Sequence, residues 1–106
     1  MTIRCGFGRF EKLQSAAQEL EDELRMRGVI AVYVFGSVAR GEDGPDSDID
    51  LAVEISPGHE DFDAWDLGWV SVSFQELLDC GVDVLLLSGI SESLRRRITP
   101  DLRQVL

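Results

Sequence analysis

Apolar residues follow two patterns along this chain, and each pattern predicts a different kind of element. In residues 10–27 they recur every three or four positions, which predicts an amphipathic helix that ends at Gly28. Residues 29–35 are continuously apolar and rich in β-branched and aromatic types, as is typical of a strand covered on both faces. Further strands are predicted from about residue 48 to 55 and over residues 82–87.

The second half of the chain adds helices between and after the strands. Residues 59–80 are predicted to be helical, with a break near Ser73, where a capping box with Glu76 would start a new helix. A short helix capped by Ser91 and a short edge strand at residues 103–106 complete the pattern. This order predicts an α/β fold in which helices pack a small mixed β-sheet of three to four strands.

Length and composition are typical of a globular protein with one domain. The chain has 106 residues, 44% of them hydrophobic and 28% charged, so a single domain spanning residues 1–106 is expected. No apolar run approaches the length of a membrane span, and the first residues lack the apolar core of a signal peptide. We therefore expect a cytoplasmic location. Cys5 and Cys80 are too few and too far apart for a disulfide scaffold.

The net charge narrows the choice of partners. At −10 it repels a phosphate backbone, so direct nucleic-acid binding is not expected. An acidic surface suits a basic protein partner, or metal ions that neutralise some of the carboxylates. Binding a basic partner or a metal ion requires specific acidic residues that lie close together.

Asp48 and Asp50 begin the second predicted strand and are the first candidates for residues of a functional site. Residues two apart on a strand point to the same face, with Cα atoms about 6.5–7 Å apart. Two parallel carboxylates repel each other, and Mg²⁺ relieves this because it is commonly held by one or two carboxylates together with substrate phosphates. In isolation, an Asp-x-Asp at the start of a strand is more often simply a polar strand edge.

Gly36 and Ser37 follow the first predicted strand and are the second candidates for residues of a functional site. Glycine has no Cβ, so a phosphate can approach the backbone closely. Ser37 offers a hydroxyl and would begin a helical turn with free N–H groups. Alone, this pair is equally consistent with an ordinary strand-to-helix turn. A phosphate cradle one short loop from a metal-binding pair, however, indicates a nucleoside triphosphate site.

A calcium-binding EF-hand loop is the competing interpretation, because acids at Asp46, Asp48 and Asp50 would fill its first, third and fifth positions. The sixth position should be glycine and is Leu51, and the twelfth should be glutamate and is Pro57. The EF-hand interpretation is therefore rejected.

At these residues the sequence resembles the DNA polymerase β-like nucleotidyltransferase superfamily, and within it the minimal nucleotidyltransferases, the MNT group. The family signature is Gly-Ser, ten residues, then Asp-x-Asp, and here ten residues separate Ser37 from Asp48. The segments Ala39-Arg-Gly41 and Ser47-Asp-Ile-Asp-Leu51 are also similar to the family. The resemblance implies a polymerase β-like nucleotidyltransferase fold.

The resemblance also implies a third carboxylate on a neighbouring strand, a position that Asp83 fits. An aspartate between valines is costly to bury without a charge partner, and a salt bridge to Arg40 is the structural alternative to a catalytic role. Two Mg²⁺ ions and ATP are implied: Asp48 and Asp50 would hold both ions, and Asp83 only the catalytic one.

The same resemblance assigns the phosphates of ATP to the turn after the first strand. Gly36 and Ser37 would bind the terminal phosphates. Arg40 is a candidate phosphate contact that could equally be solvated or pair with Asp43 or Asp46. Asp46 would share the face of the two metal-binding aspartates, and only the family register excludes it from the site.

At 106 residues no extra domain that would hold an acceptor is expected, and the sequence resembles the antitoxin of HEPN/MNT toxin–antitoxin pairs. The resemblance implies transfer of AMP to a tyrosine hydroxyl of a partner, a HEPN-type RNase toxin, in a hetero-oligomer. Two alternatives stay open: an inactive binding module that masks a partner by contact, and a small-molecule (antibiotic) nucleotidyltransferase. Trp65 and Trp69, at helical spacing, are expected in the core or at a partner interface.

Overall fold

The protein is described by a computed structural model that covers residues 9–42 and 48–106. Helices and strands alternate through this part of the chain. In order they are α1 (Arg9–Glu19), α2 (Glu21–Met26), β1 (Val29–Phe35), α3 (Ser37–Arg40), β2 (Ile49–Ile55), α4 (Ala64–Leu78), β3 (Val82–Leu86), α5 (Glu92–Ile98) and β4 (Arg103–Gln104). Short 3₁₀ turns at Leu87–Gly89 and Thr99–Asp101 lie on either side of α5.

The strands form one mixed sheet in the order β3-β2-β1-β4. β1 is antiparallel to both β2 and β4, whereas β2 and β3 are parallel and are joined by the crossover helix α4. The predicted α/β class, with a small mixed sheet of three to four strands, is confirmed. So is the edge strand near the end of the chain, which pairs through only two residues.

Both faces of the sheet are covered, so β1 and β2 are apolar on both sides. On one face α1 and α4 bury a large cluster that includes Leu13, Leu51 and Phe74, each fully shielded from solvent. On the other face Ala52, Leu87 and Ile98 form a smaller cluster. Alternate residues of β2 therefore belong to different layers, and Asp50 shares the face of Ala52.

The first helical segment is bent where a single helix was predicted. Leu20 leaves helical geometry at φ −93° and ψ 1°, which separates α1 from α2. The hydrogen bonds from Leu20 N–H to Ala16 O and from Leu24 N–H to Leu20 O continue across the junction, so the apolar face is preserved. Gly28 follows α2 with a φ of +99°, in agreement with its predicted role as the stop.

The predicted capping box at Ser73 is wrong. α4 is continuous from Ala64 to Leu78, and its cap is Asp63, which accepts hydrogen bonds from the N–H groups of Trp65 and Asp66. Asp66 reciprocates by accepting from Asp63 N–H at 3.1 Å, which completes the box. That bond, together with the Arg27 guanidinium, lowers the pKa of Asp66. Ser91, by contrast, caps α5 as predicted, accepting from Leu94 N–H.

Across residues 9–42 and 48–106, no helix has both the length and the apolar character needed to cross a membrane.

Candidate active site

Three strand ends meet at one edge of the sheet, and they carry most of the predicted site residues. Phe35, the last residue of β1, pairs with Asp50 of β2, and Asp50 pairs in turn with Asp83 of β3. Paired residues on neighbouring strands project to the same face. Gly36 and Ser37 follow directly after Phe35, so the turn that they form and the aspartates lie side by side.

The aspartates form a mutually repelling group centred on Asp50. Partial burial, then the negative charge of Asp83 and then that of Asp48, raises the pKa of the Asp50 carboxyl. Asp48 and Asp83 are exposed, whereas Asp50 is half-buried between β1 and β3. The Asp50 carboxylate therefore loses part of its hydration, whereas those of Asp48 and Asp83 remain accessible to a ligand.

The backbone conformation of the turn after β1 favours glycine. Gly36 has φ +75° and ψ −151°, a backbone region in which residues with a Cβ are strained. A Cβ built on Gly36 would lie 2.6 Å from Asp50 Oδ2, so this residue also leaves space for the central carboxylate. The first hydrogen bond of α3 runs from Arg40 N–H to Gly36 O, which leaves the preceding N–H groups without an intrahelical partner.

Gly81 leaves space for Asp48 in a similar way, and no pattern in the sequence marks it as a site residue. A Cβ on Gly81 would lie 2.9 Å from Asp48 Cγ and would collide with Oδ1. The carbonyl of Gly81 accepts a hydrogen bond from Ile49 N–H at 2.9 Å, which joins the starts of β2 and β3. Its φ is not positive, so the glycine is required here by space and not by backbone conformation.

Gly81→Ala is therefore expected to displace the Asp48 carboxylate while leaving the backbone unstrained. Misplacing a residue that orients a metal-binding group costs about 10- to 100-fold in metal affinity or activity. The measurement is Mn²⁺ affinity together with nucleotidyl transfer. Gly89→Ala, whose Cβ would meet only Leu86 at an ordinary 3.8 Å, is the control and should behave as wild type. A Gly81→Ala effect that persists unchanged in an Asp48→Ala background would contradict this assignment.

Arg40 forms ion pairs with Glu42 and Asp101. Its Nε donates to Glu42 Oε1 at 2.9 Å, and its Nη1 donates to Asp101 Oδ2 at 2.8 Å. These hydrogen bonds, Glu42 first, raise the pKa of the guanidinium. Asp43 and Asp46, the partners considered from the sequence, lie outside the described residues. The role of Arg40 as a phosphate contact stays a prediction.

The burial argument for Asp83 was wrong, although its position is as predicted. β3 is an edge strand, and the Asp83 side chain is exposed at the start of it. Among the described residues no ion pair joins Asp83 to Arg40 or to any other cation. Asp83 is therefore adjacent to Asp50 without a compensating positive charge.

The chemistry of these side chains fits Mg²⁺, although no closed ligand set is formed. Within the described ranges, no three His, Cys, Asp or Glu side chains are gathered closely enough to hold a metal ion by themselves. Mg²⁺ does not need such a cage, because it is usually bound by one or two carboxylates, water and substrate phosphates. Asp48, Asp50 and Asp83 supply only oxygen ligands, and burial followed by the charges of Asp83 and Asp48 raises the Asp50 pKa. A divalent cation would relieve that repulsion.

The fold and this group of residues define a nucleotidyltransferase domain, and comparison with known proteins agrees. The chain belongs to the nucleotidyltransferase domain family, whose model matches residues 14–106. A Methanocaldococcus jannaschii protein, named a putative protein adenylyltransferase, is 36% identical over 83 residues; the match covers 78% of this chain and 86% of that protein.

Solved structures extend the agreement to the minimal members of the family. A structure described as a putative minimal nucleotidyltransferase is 30% identical with a TM-score of 0.72, and the match covers 89% of this chain and 93% of that one. A toxin–antitoxin structure with AMP-PNP has a TM-score of 0.71 at 24% identity, covering 88% and 72% of the two chains. A structure of a tri-AMPylated Shewanella oneidensis HEPN toxin in complex with an MNT antitoxin has a TM-score of 0.62 at 22% identity. The match covers 89% of this chain and 71% of that one. The last two likenesses show the fold alone.

Proposed function

We propose that this protein is a Mg²⁺-dependent nucleotidyltransferase that transfers AMP from ATP to a hydroxyl group of a partner protein. The hydroxyl oxygen would bond to the α-phosphorus as the α–β phosphoanhydride bond breaks, and pyrophosphate would leave. The convergence of Gly36-Ser37 with Asp48, Asp50 and Asp83 at one edge of the sheet carries the proposal. The turn would hold a triphosphate beside carboxylates whose mutual repulsion a bound Mg²⁺ would relieve.

Each residue of the site has a part in this reaction. Asp48 and Asp50 would hold two Mg²⁺ ions, and Asp83 would hold the one beside the acceptor hydroxyl. Bound Mg²⁺ supplies charge neutralisation of the triphosphate and lowers the pKa of the acceptor hydroxyl. Gly36 gives the terminal phosphates access to the backbone, and Ser37 can donate its hydroxyl to them. Arg40 would have to leave Glu42 or Asp101 to contact the same phosphates.

The partner is proposed to be a HEPN-type RNase toxin, neutralised in a hetero-oligomer in the cytoplasm. The named activity of the Methanocaldococcus jannaschii relative and the toxin–antitoxin complexes among similar folds support this choice. The net charge of −10 supports a protein acceptor, because a nucleic-acid acceptor would be repelled.

The proposal is tested by incubating the purified protein with Mg-ATP and a HEPN-type RNase encoded by an adjacent gene of its source genome, followed by intact-mass spectrometry. We expect the partner to gain the mass of one or more AMP units and its RNase activity to fall. Asp48→Asn should give no mass gain. If the Asp48→Ala/Asp50→Ala double mutant still neutralised the partner, the protein would instead be a binding module that masks its target.

A further inference from the structure

Over residues Ala64–Val72, helix α4 is apolar on the side that faces away from the core. Its inner side carries the fully buried Val70 and Phe74. At helical spacing on the outer side, Trp65 is 86% exposed and Val72 is 53% exposed. A surface helix ordinarily presents polar residues to solvent, and one that is apolar all round is normally covered.

This part of the outer side forms a shallow, open depression. A volume of about 690 Å³ is lined by Ala64, Trp65, Gly68, Trp69 and Val72. Gly68 forms its floor, since a Cβ there would meet nothing within 4 Å. We name this depression the α4 groove.

One wall of the α4 groove is held rigidly before anything binds. The Arg27 guanidinium stacks over the Trp69 ring at 4.3 Å from its centroid. Arg27 is fixed in turn by Asp66 at 2.6 Å and by Glu23 at 3.1 Å. Trp69 therefore loses little conformational freedom on binding, which favours affinity.

Acidic residues lie at both ends of the α4 groove. Asp61 and Asp63 are exposed just before the helix, Glu76 continues its outer side, and Asp79 caps its end. In a pair of identical copies these acids would face each other whether the two helices ran parallel or antiparallel. Like charges opposed across an interface are unfavourable, so the charge distribution selects against a second copy and for a basic partner.

We propose that the α4 groove docks an amphipathic helix of a partner protein, with an apolar side that covers Trp65 and Val72 and basic residues that meet the flanking acids. The docking does not require nucleotidyl transfer, because the groove shares no residue with the proposed catalytic group. It would add a binding surface to the proposed transferase and does not depend on that activity.

The probe is a synthetic 18-residue amphipathic helical peptide of leucine and lysine, titrated into the full chain by calorimetry and by tryptophan emission. We expect saturable binding with a blue shift, because Trp65 becomes shielded from water. Trp65→Ala should weaken binding by at least about 30-fold, the effect of losing a central aromatic anchor. Leu77→Ala is the matched control: it is 44% exposed on another side of the same helix, and its affinity should equal that of wild type.

Several results would overturn this docking proposal. They are equal binding by a leucine–glutamate peptide or by a lysine peptide without leucine, or an affinity unaffected by Trp65→Ala. Sedimentation that showed a dimer lost in Trp65→Ala would assign the groove to a second copy instead. Asp48→Asn should bind the peptide as wild type does, which separates failure of docking from failure of the transferase function.

Discussion

Asp50→Asn is expected to lower nucleotidyl transfer by about a thousand-fold and, at the same time, to make the metal-free protein more stable. The loss of activity follows because metal ions at such sites contribute several kcal/mol to transition-state stabilisation, and each 1.36 kcal/mol is tenfold in rate. The gain in stability follows because partial burial, Asp83 and Asp48 all disfavour a charge at this position.

The pH dependence gives the sign of the stability effect. The pKa of Asp50 is raised in the folded protein, so between its ordinary value and its folded value the folded state binds more protons than the unfolded state. The stabilising contribution of protonated Asp50 is complete below the ordinary aspartate pKa of about 3.9 and is lost as the pH rises through the folded value. The advantage of the asparagine variant should therefore be largest near pH 7 and should shrink in acid.

Urea unfolding at several pH values, with and without Mg-ATP, measures this. Without ligand the Asp50→Asn midpoint should exceed that of wild type at pH 7, and Mg-ATP should stabilise wild type far more than the variant. Asp61→Asn is the control, since it removes the same charge from an exposed residue away from the site. A variant less stable than wild type at pH 7 without metal would show that Asp50 is not under electrostatic strain.

Features set by local pattern were predictable from the sequence. The strands that carry Phe35, Asp50 and Asp83 could be located from the sequence, because their ends are marked by changes between apolar and polar residues. The family signature, in which ten residues separate Gly-Ser from Asp-x-Asp, then implied that these two elements belong to one site. That is why the arrangement of the candidate site could be anticipated before its geometry was known.

Features set by contacts between distant residues were not predictable. Asp101 pairs with Arg40 from 61 positions away, and Gly81 is needed only because Asp48 of another strand lies against it. Ser73 and Asp63 carry equivalent local capping signals, and packing of α4 against the sheet decides between them. The exposure of Trp65 could not be predicted either. An apolar residue on the outer side of a helix gives the same sequence pattern whether it contacts the core or a partner.

Gly36→Ala is expected to damage both the fold and the site. Its backbone region costs about 1–3 kcal/mol for a residue with a Cβ. The added methyl group would also lie 2.6 Å from Asp50 Oδ2, so it would push the central carboxylate away and close the approach to the backbone. A shift of about 1 Å in a catalytic group can cost about a hundredfold in rate, which sets the expected loss of transfer.

Gly41→Ala separates the two causes of that loss. Gly41 also has a positive φ, +72°, but a Cβ there would meet nothing within 4 Å. Both variants should be destabilised in urea unfolding, because both force an L-residue into left-handed backbone. Only Gly36→Ala should also lose Mg-ATP stabilisation and nucleotidyl transfer. If both variants lost activity in proportion to their lost stability, Gly36 would be a structural turn residue. If Gly36→Ala alone lost activity at temperatures where both remain folded, the turn would be the phosphate-binding element of the site.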